Sequence, residues 1–472
     1  MNWYSDLKTV LAGEPETWLA YLHGQQLDNL PHLLRKKPRY RGLTLQVAKY
    51  GATLLCRLRL KQCIELRRPT RFFVFAGTAN QMSALCQTID SLKQRGETVT
   101  AVGDKSLLDT NDLVERYIPF SLNIVDVLRS ATLLATRGVG LYKALKTKHS
   151  VSIDWYFSTF CTTYNYLVYF HRVLKQTKPE FVITANDHND SNRCMLAVAH
   201  HLGIKTVYLQ HASVSPLFPA LHVNYAFLDG KCALDTYRQC ERNQPNTYRN
   251  VPTSQIVLSG QKKHLKRLRS CQTTVIGVAV NALDHPESGI EFINTLVNEG
   301  LKIRLRWHPG QSDCNINHYR SEFSNSERVS LSDPKNESIS DFMYSIGWLI
   351  AGNSSIHLEA ALSGVVPIYY ELIRPYSPDY YGYVKHGLAQ QADSVLEVLE
   401  IIENTQESHV PNAGAVRYYS DTYLTEWDGK EGELVAECLI ALASGNELPV
   451  EVLSFDSKGL SVPAAHAKAY SA

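Results

Sequence analysis

Ser354 and Ser355, with His308 and Asn281, are the residues of this 472-residue chain whose types and settings could hold an anion. The serines follow the apolar run Gly347-Trp348-Leu349-Ile350 and the turn Ala351-Gly352-Asn353. They precede Ile356-His357-Leu358-Glu359-Ala360-Ala361-Leu362-Ser363-Gly364, so the segment reads as strand, polar turn and helix. The first N–H groups of a helix have no partner within it, and an oxyanion can take them. Two hydroxyls there either cap the helix or bond a phosphate lying on it. A capping box wants its acid three residues after the cap, and Glu359 lies four after Ser355. That spacing weakens the capping explanation and places Glu359 to accept hydroxyls from whatever carries the phosphate.

The surrounding elements explain how these residues could meet. Thr273 to Val280 is an apolar, β-branched run ending at Asn281, and a helix is expected from Gly289 to Asn298. Leu301 to Trp307 reads as the next strand, ending at His308-Pro309-Gly310, and Val365 to Tyr370 as the one after the serine-led helix. Continuous apolar strands alternating with helices of about ten residues predict a parallel sheet with crossovers. Such sheets bind ligands at the carboxyl ends of their strands, where Asn281, His308 and the serines all fall.

The pairing of His308-Pro309 after one strand with Ser354-Ser355 opening a later helix resembles bacterial sialyltransferases and polysialyltransferases. It is also similar to transferases of CMP-activated 3-deoxy-manno-octulosonate (Kdo), and more distantly to CDP-glycerol and CDP-ribitol phosphotransferases. The likeness covers roughly residues 271–370 and is one of architecture elsewhere. It implies an α/β protein of GT-B class, two Rossmann-like domains facing a central cleft, here with an N-terminal helical extension. It implies that His308, Ser354 and Ser355 hold the phosphate of a CMP group and that Glu359 meets the ribose. The donor-side set is then Asn281, His308, Pro309, Gly352, Asn353, Ser354, Ser355 and Glu359.

The first half reads as the other Rossmann-like domain. Arg71 to Asn80 is a strand and turn, a helix runs to about Gln94, and Thr98 to Gly103 is the next strand. Glu180 to Thr184 leads into Ala185-Asn186-Asp187-His188-Asn189-Asp190-Ser191-Asn192 and a helix to His201; Lys205 to Gln210 ends at His211. Glycosyl transfer passes through an oxocarbenium-like state while the acceptor hydroxyl loses a proton, so a base is needed. In sialyltransferases that base is an Asp of an acidic triplet ending in Gly, which this half lacks. Asp187 and Asp190 are candidates by position and His211 is their rival; a well-capped turn, with Asp190 or Ser191 as the cap, is the other reading. The sequence contains no Asp-x-Asp, so a metal-independent reaction with no metal site and no cofactor beyond the nucleotide sugar is expected.

Length predicts two or three domains. The boundaries drawn are a basic helical extension at 1–70, an acceptor domain at 71–260, a nucleotide-sugar domain with closing helices at 261–444, and a tail at 445–472. The net charge of +2 is uninformative, but its distribution is not. From Arg35 to Arg71 there are twelve Lys or Arg residues against one acid, Glu65, interleaved with Leu45, Val47, Leu54, Leu55, Leu58, Leu60 and Ile64. A second basic run spans Lys262 to Arg269. Such stretches are either solvated faces or membrane-surface contacts, and no nucleic-acid module accompanies them. The start shows no signal peptide, no apolar run reaches about 18 residues, and ten scattered cysteines fit a reducing compartment. The tyrosines from Tyr369 to Tyr383 are read as packing or as acceptor-contacting surface.

These readings converge on a cytoplasmic glycosyltransferase of capsule or lipopolysaccharide biosynthesis, peripheral on the inner face of the cytoplasmic membrane. Its partners would be a CMP-linked acidic sugar, a glycan or lipid-linked glycan acceptor and an anionic membrane surface, with no nucleic acid. The alternatives are a CDP-glycerol or CDP-ribitol phosphotransferase and an enzyme like the UDP-sugar 2-epimerases.

Overall fold

The computed structural model describes residues 2–13, 42–59, 64–103, 117–148, 152–186, 189–216, 218, 220–243, 254–262, 265, 273–282, 284–373, 378–405, 411–455 and 461–463. The chain forms two compact units, one of residues 1–229, 233–262 and 430–472, the other of residues 230–232 and 263–429.

The first unit is built on β1 (Phe72–Ala76), β2 (Val99–Gly103), β3 (Ile118–Pro119), β4 (Phe181–Thr184), β5 (Lys205–Leu209), β6 (Tyr225–Leu228) and β7 (Gln255–Leu258). All seven are parallel, in the order β7-β6-β5-β4-β1-β2-β3. Every residue of β1 and β4 is buried, the pattern of strands covered on both faces. β1 pairs with both β2 and β4, so the strand order reverses between β1 and β4.

Helices at Trp3–Leu11, Leu43–Arg57, Ile124–Leu133 and Phe157–Thr177 complete this unit. Buried Asp6 of the first bonds His171 at 2.8 Å and Lys175 at 2.9 Å, both on the last. Against the opposing effect of burial, the hydrogen bonds from His171 and Lys175 hold its carboxyl below the usual carboxylate range. Asp126 completes a capping box with Asn123 and receives two hydrogen bonds from Arg172, at 2.8 and 2.7 Å. Removing one partner of so buried a pair typically costs about 3–5 kcal/mol.

The second unit contains β8 (Val275–Val280), β9 (Lys302–Trp307), β10 (Val329–Ser332), β11 (Trp348–Ala351), β12 (Val366–Tyr369) and β13 (Gln390–Gln391), all parallel, in the order β10-β9-β8-β11-β12-β13. The helix expected from Gly289 begins earlier, at Pro286, because proline suits a first helical turn.

The C-terminal segment returns to the first unit. Helix Glu431–Ser444 packs on helix Ala79–Gln94 so closely that a side chain at Gly432 would meet Gln87 Cβ at 2.3 Å. Residues from 445, expected as a tail, instead supply β14 (Leu453–Phe455), antiparallel to β7, and β15 (Ser461–Pro463) on the sheet edge. The edge groups of β7 give this segment a hydrogen-bonding partner that composition does not reveal.

Candidate functional site

In the second unit the chain lays down β8, β9 and β10 toward one edge, then returns to place β11 beside β8. The strand order reverses between β8 and β11. Ligands of open parallel sheets enter the crevice at this switch, beyond the carboxyl ends of the two strands. Asn281 directly follows β8, and Gly352, Asn353, Ser354 and Ser355 directly follow β11.

The turns are tied together. Asn281 Nδ2 donates to the Asn353 carbonyl at 3.2 Å, and the Asn281 carbonyl accepts from Gln311 Nε2 at 3.2 Å. The Asn281 N–H donates to the Asp284 carboxylate at 2.6 Å. His308 is exposed at the end of β9, with its own N–H bonded to the Val280 carbonyl at 3.0 Å. Its Nδ1 accepts the Gly310 N–H at 3.0 Å, so in the neutral ring Nε2 carries the proton and is left for a ligand. Pro309 is exposed in the same turn.

Ser355 occupies the N-cap of helix Ile356–Ser363 but makes no side-chain capping bond, and its backbone is already helical, φ −65° and ψ −11°. Ser354 Oγ accepts the Ile356 N–H at a long 3.4 Å. Among the described residues, the N–H groups of Ser354 and Ser355 find no acceptor. Of the two explanations for the serine pair, capping is therefore the weaker. Glu359 is buried one turn further in, within electrostatic reach of Arg306 on β9. That guanidinium also donates to Ser332 Oγ at 2.7 Å and the Glu337 carbonyl at 3.1 Å.

Two further residues of this rim carry no signal in a local motif. His357 is fully buried, and its Nε2 lies 3.1 Å from the Ala351 carbonyl and 3.0 Å from that of Gly352. Only an Nε2–H can bond two carbonyls, so the ring clamps the strand end that leads into the serine turn. Burial pushes its pKa down to about 4. Glu371, just past β12, accepts from Tyr369 Oη and from the Asn353 N–H. A side chain at Gly352 would meet the Glu371 carboxylate at 2.5 Å, so the carboxylate would have to shift to admit one. Burial raises the Glu371 carboxyl above its usual range, and nearby Asp284 adds to the shift. The loop beyond completes the wall: the Tyr380 N–H donates to Asn353 Oδ1 at 2.8 Å. Tyr369 and Tyr383 are buried as packing and Tyr380 is exposed; Arg374 and Tyr376 lie outside the described residues.

The first unit has its own switch point, between β1 and β4. Gln81 Oε1 accepts the Gly77 N–H at 2.8 Å, and a side chain at Gly77 would press on Ser191 Oγ at 3.3 Å. Asn186 Oδ1 accepts the Asn189 N–H at 2.7 Å. Asp190 is half-buried at the first position of helix Asp190–His201. The N-cap is Asn189, not Asp190 or Ser191, and it too makes no side-chain capping bond. His211 is half-buried just beyond β5, the neighbour of β4, so it shares a rim with Asp190. Asp187 lies outside the described residues. Beside them Gln210 Oε1 accepts the Asp229 N–H at 2.8 Å, and Asp229 pairs with buried Lys262 at 3.2 Å.

No family model matches this chain, and no curated protein matches it. Among solved structures, a Listeria monocytogenes protein described as a UDP-N-acetylglucosamine 2-epimerase aligns with a TM-score of 0.53 and 13% identity, over 81% of this chain and 98% of its own. S. aureus MnaA, solved with UDP, gives 0.49 and 12% identity over 79% and 97%. Acinetobacter baumannii MurG gives 0.45 and 14% identity over 79% and 99%. Likeness at such identities is one of fold, and the fold is GT-B, with two Rossmann-like domains. It does not single out CMP-sugar transferases among GT-B proteins.

Proposed function

We propose that this protein is a glycosyltransferase of bacterial surface-polysaccharide synthesis that uses a nucleotide sugar, with a CMP-activated acidic sugar as the donor. The observation carrying this reading is the serine turn at the second unit's switch point. Among the described residues, two backbone N–H groups and the Ser355 hydroxyl stand there without internal partners, bracketed by Asn281 and His308. As the glycosidic bond to phosphate breaks, charge builds on the phosphate oxygens. Fixed donors aimed at them stabilise that charge without reorganising. His308 adds a donor from Nε2. The first unit carries the candidate bases for the acceptor hydroxyl, Asp190 and His211 among the described residues. In this reading the reaction is metal-independent and the acceptor is a glycan or lipid-linked glycan, which places the enzyme on the inner face of the cytoplasmic membrane.

The test is calorimetric titration with CMP, CDP and UDP. CMP should bind more tightly than UDP, and His308→Ala should lower donor use by about 10²–10³-fold, the scale of one lost transition-state donor. Equal nucleotide binding and turnover in wild type and His308→Ala would refute the assignment. A UDP-sugar 2-epimerase is the second reading, suggested by the Listeria protein of the same fold. Tightest binding of UDP, with exchange of the sugar C2 hydrogen in heavy water, would establish it instead. Preferred binding of CDP with transfer of an alditol phosphate would mark the CDP-alditol alternative.

A further inference from the structure

Twelve large hydrophobic side chains stand exposed among the described residues, and eight of them lie on three neighbouring helical segments of the first unit. On Leu43–Arg57 they include Leu45, Val47 and Leu55, the last 75% exposed. On Ile124–Leu133 they are Ile124, Val125 and Leu128; Val139 follows on helix Val139–Lys148. An isolated exposed leucine needs no explanation, but concentration on one part of a surface does.

The rest of these outward faces is equally unusual. From 124 to 147 the exposed residues are apolar, small or threonine, apart from Arg137, Lys143 and Lys146. The one acid there, Asp126, is turned inward onto Arg172. Segment 42–59 contains no acid and exposes Lys49. Ordinary soluble surfaces intersperse both signs of charge. The threonines also need little from water, since Thr53, Thr132, Thr136 and Thr147 donate to carbonyls four residues back, at 2.7–3.1 Å.

The two principal helices are joined where one ends and the other begins. The Arg59 N–H donates to the Leu122 carbonyl at 2.8 Å, and the Leu122 N–H to that of Arg57 at 2.9 Å. Both helices pack on Phe157–Thr177. Gln46 and Tyr50 anchor the first through Ser158 N–H and Asn165 Oδ1, which commits its inner face and leaves Leu45, Val47 and Leu55 outside.

We propose that helices Ile124–Leu133 and Val139–Lys148, together with Leu43–Arg57, form a surface that docks on an anionic lipid bilayer, with Ile124, Val125, Leu128 and Leu55 inserted at the headgroup boundary. Apolar side chains supply shallow burial, and Lys49, Arg137 and Lys143 supply attraction to anionic lipid, while Lys146 is held by Asp154 at 2.9 Å; this is the combination by which amphipathic helices lie in a bilayer interface. The purpose of the surface rests on the lipid-linked acceptor of the function proposed above, but its existence can be tested separately. No described helix is long and apolar enough to cross a membrane, so the contact is with one face.

The experiment is flotation of the full chain with vesicles of phosphatidylcholine alone or mixed with phosphatidylglycerol, at low and high salt. A Val125→Asp/Leu128→Asp double variant is compared with wild type. CMP binding and melting temperature of each preparation report separately on the nucleotide site and on folding. Wild type should float with anionic vesicles at low salt, and the double variant should bind them about tenfold less or weaker still. An Ile124→Ser/Leu55→Ser variant, milder in charge, should show a loss in the same direction. Failure of wild type to float, or variants that float equally well, overturns the proposal. Equal flotation would mean that charge outside these helices makes the contact. A wild-type dimer that dissociates in the double variant also overturns it, by assigning the face to a second copy of the chain. Loss of nucleotide binding in wild type would instead strike the proposed function and leave the flotation result standing.

Discussion

Replacing His357 with Phe separates what holds the serine turn from what contacts a ligand. The imidazole is sealed in the second unit, with its Nε2–H shared between the Ala351 and Gly352 carbonyls. Phe keeps an aromatic ring of similar size but deprives two buried carbonyls of their donor. Leaving such groups unpaired costs about 1–3 kcal/mol, so the variant should be about 2 kcal/mol less stable at pH 7. The pH dependence makes the test sharp. Burial lowers the ring's pKa from 6.5 to about 4, so the folded protein binds fewer protons than the unfolded chain between those values. Stability from the neutral ring is therefore complete above about pH 6.5 and is lost as the pH falls toward 4. At about 1.36 kcal/mol per pH unit, wild type loses about 2 kcal/mol by roughly pH 5 on this account. The Phe variant has no such group to lose. His171, His200 and His222, also held below the usual imidazole range chiefly by burial, titrate in both proteins and cancel in the difference. Hydrogen exchange of β11 peptides against urea at pH 7, 6 and 5 reads the second unit separately from the first. The stability gap should shrink from about 2 kcal/mol to near zero at the lowest pH. A gap constant across that range would refute the claim that the folded state keeps this ring neutral.

Two further outcomes test the groups around the chemistry. Glu371→Gln should tighten CMP binding roughly tenfold, because the carboxylate that meets the Asn353 N–H repels an arriving phosphate. The gain should narrow as the pH falls through the raised range of this carboxyl, and unchanged binding at neutral pH would show that the phosphate lies elsewhere. For the base, Asp190→Asn or His211→Ala should lower turnover by about 10²–10⁴-fold with nucleotide affinity nearly intact. If both variants remain active while Asp187→Asn does not, the base lies outside the described turns.

The strands that carry the candidate site were legible because each is an apolar or regularly alternating run bounded by a polar turn. Thr273 to Val280, Leu301 to Trp307 and Gly347 to Ile350 differ from β8, β9 and β11 by no more than two residues at either end. The short strands were not legible. β10 reads Val-Ser-Leu-Ser, β13 is two glutamines, and neither announces itself without the sheet beside it. Strand β14 depends on β7, whose partner residues lie about two hundred positions earlier in the chain. Sheet closure of that kind is set by long-range pairing and leaves little trace in a local window.

The same distinction divides the site. Asn281, His308, Ser354 and Ser355 announce themselves because each polar residue breaks an apolar run at a strand end. Glu371 does not, since a carboxylate after a strand is ordinary until the β11–β12 pairing brings it over Gly352. His357 lies hidden inside a helix that is apolar around it, where a histidine gives no hint that it clamps the preceding turn. A sequence thus shows where donors end a strand more readily than which groups oppose them. At this rim the opposition is substantial. The described residues of the turns 281–285, 308–312, 352–355 and 370–373 contain no Lys or Arg, while Asp284 and Glu371 stand among them as carboxylates. An anion arriving at the serine turn is therefore met by backbone and hydroxyl donors and by the His308 Nε2–H rather than by a Lys or Arg of those turns. Nucleotide affinity should accordingly depend on pH through Glu371, strengthening as that carboxyl takes up a proton. The phosphate's own protonation, near pH 6, acts in the opposite direction.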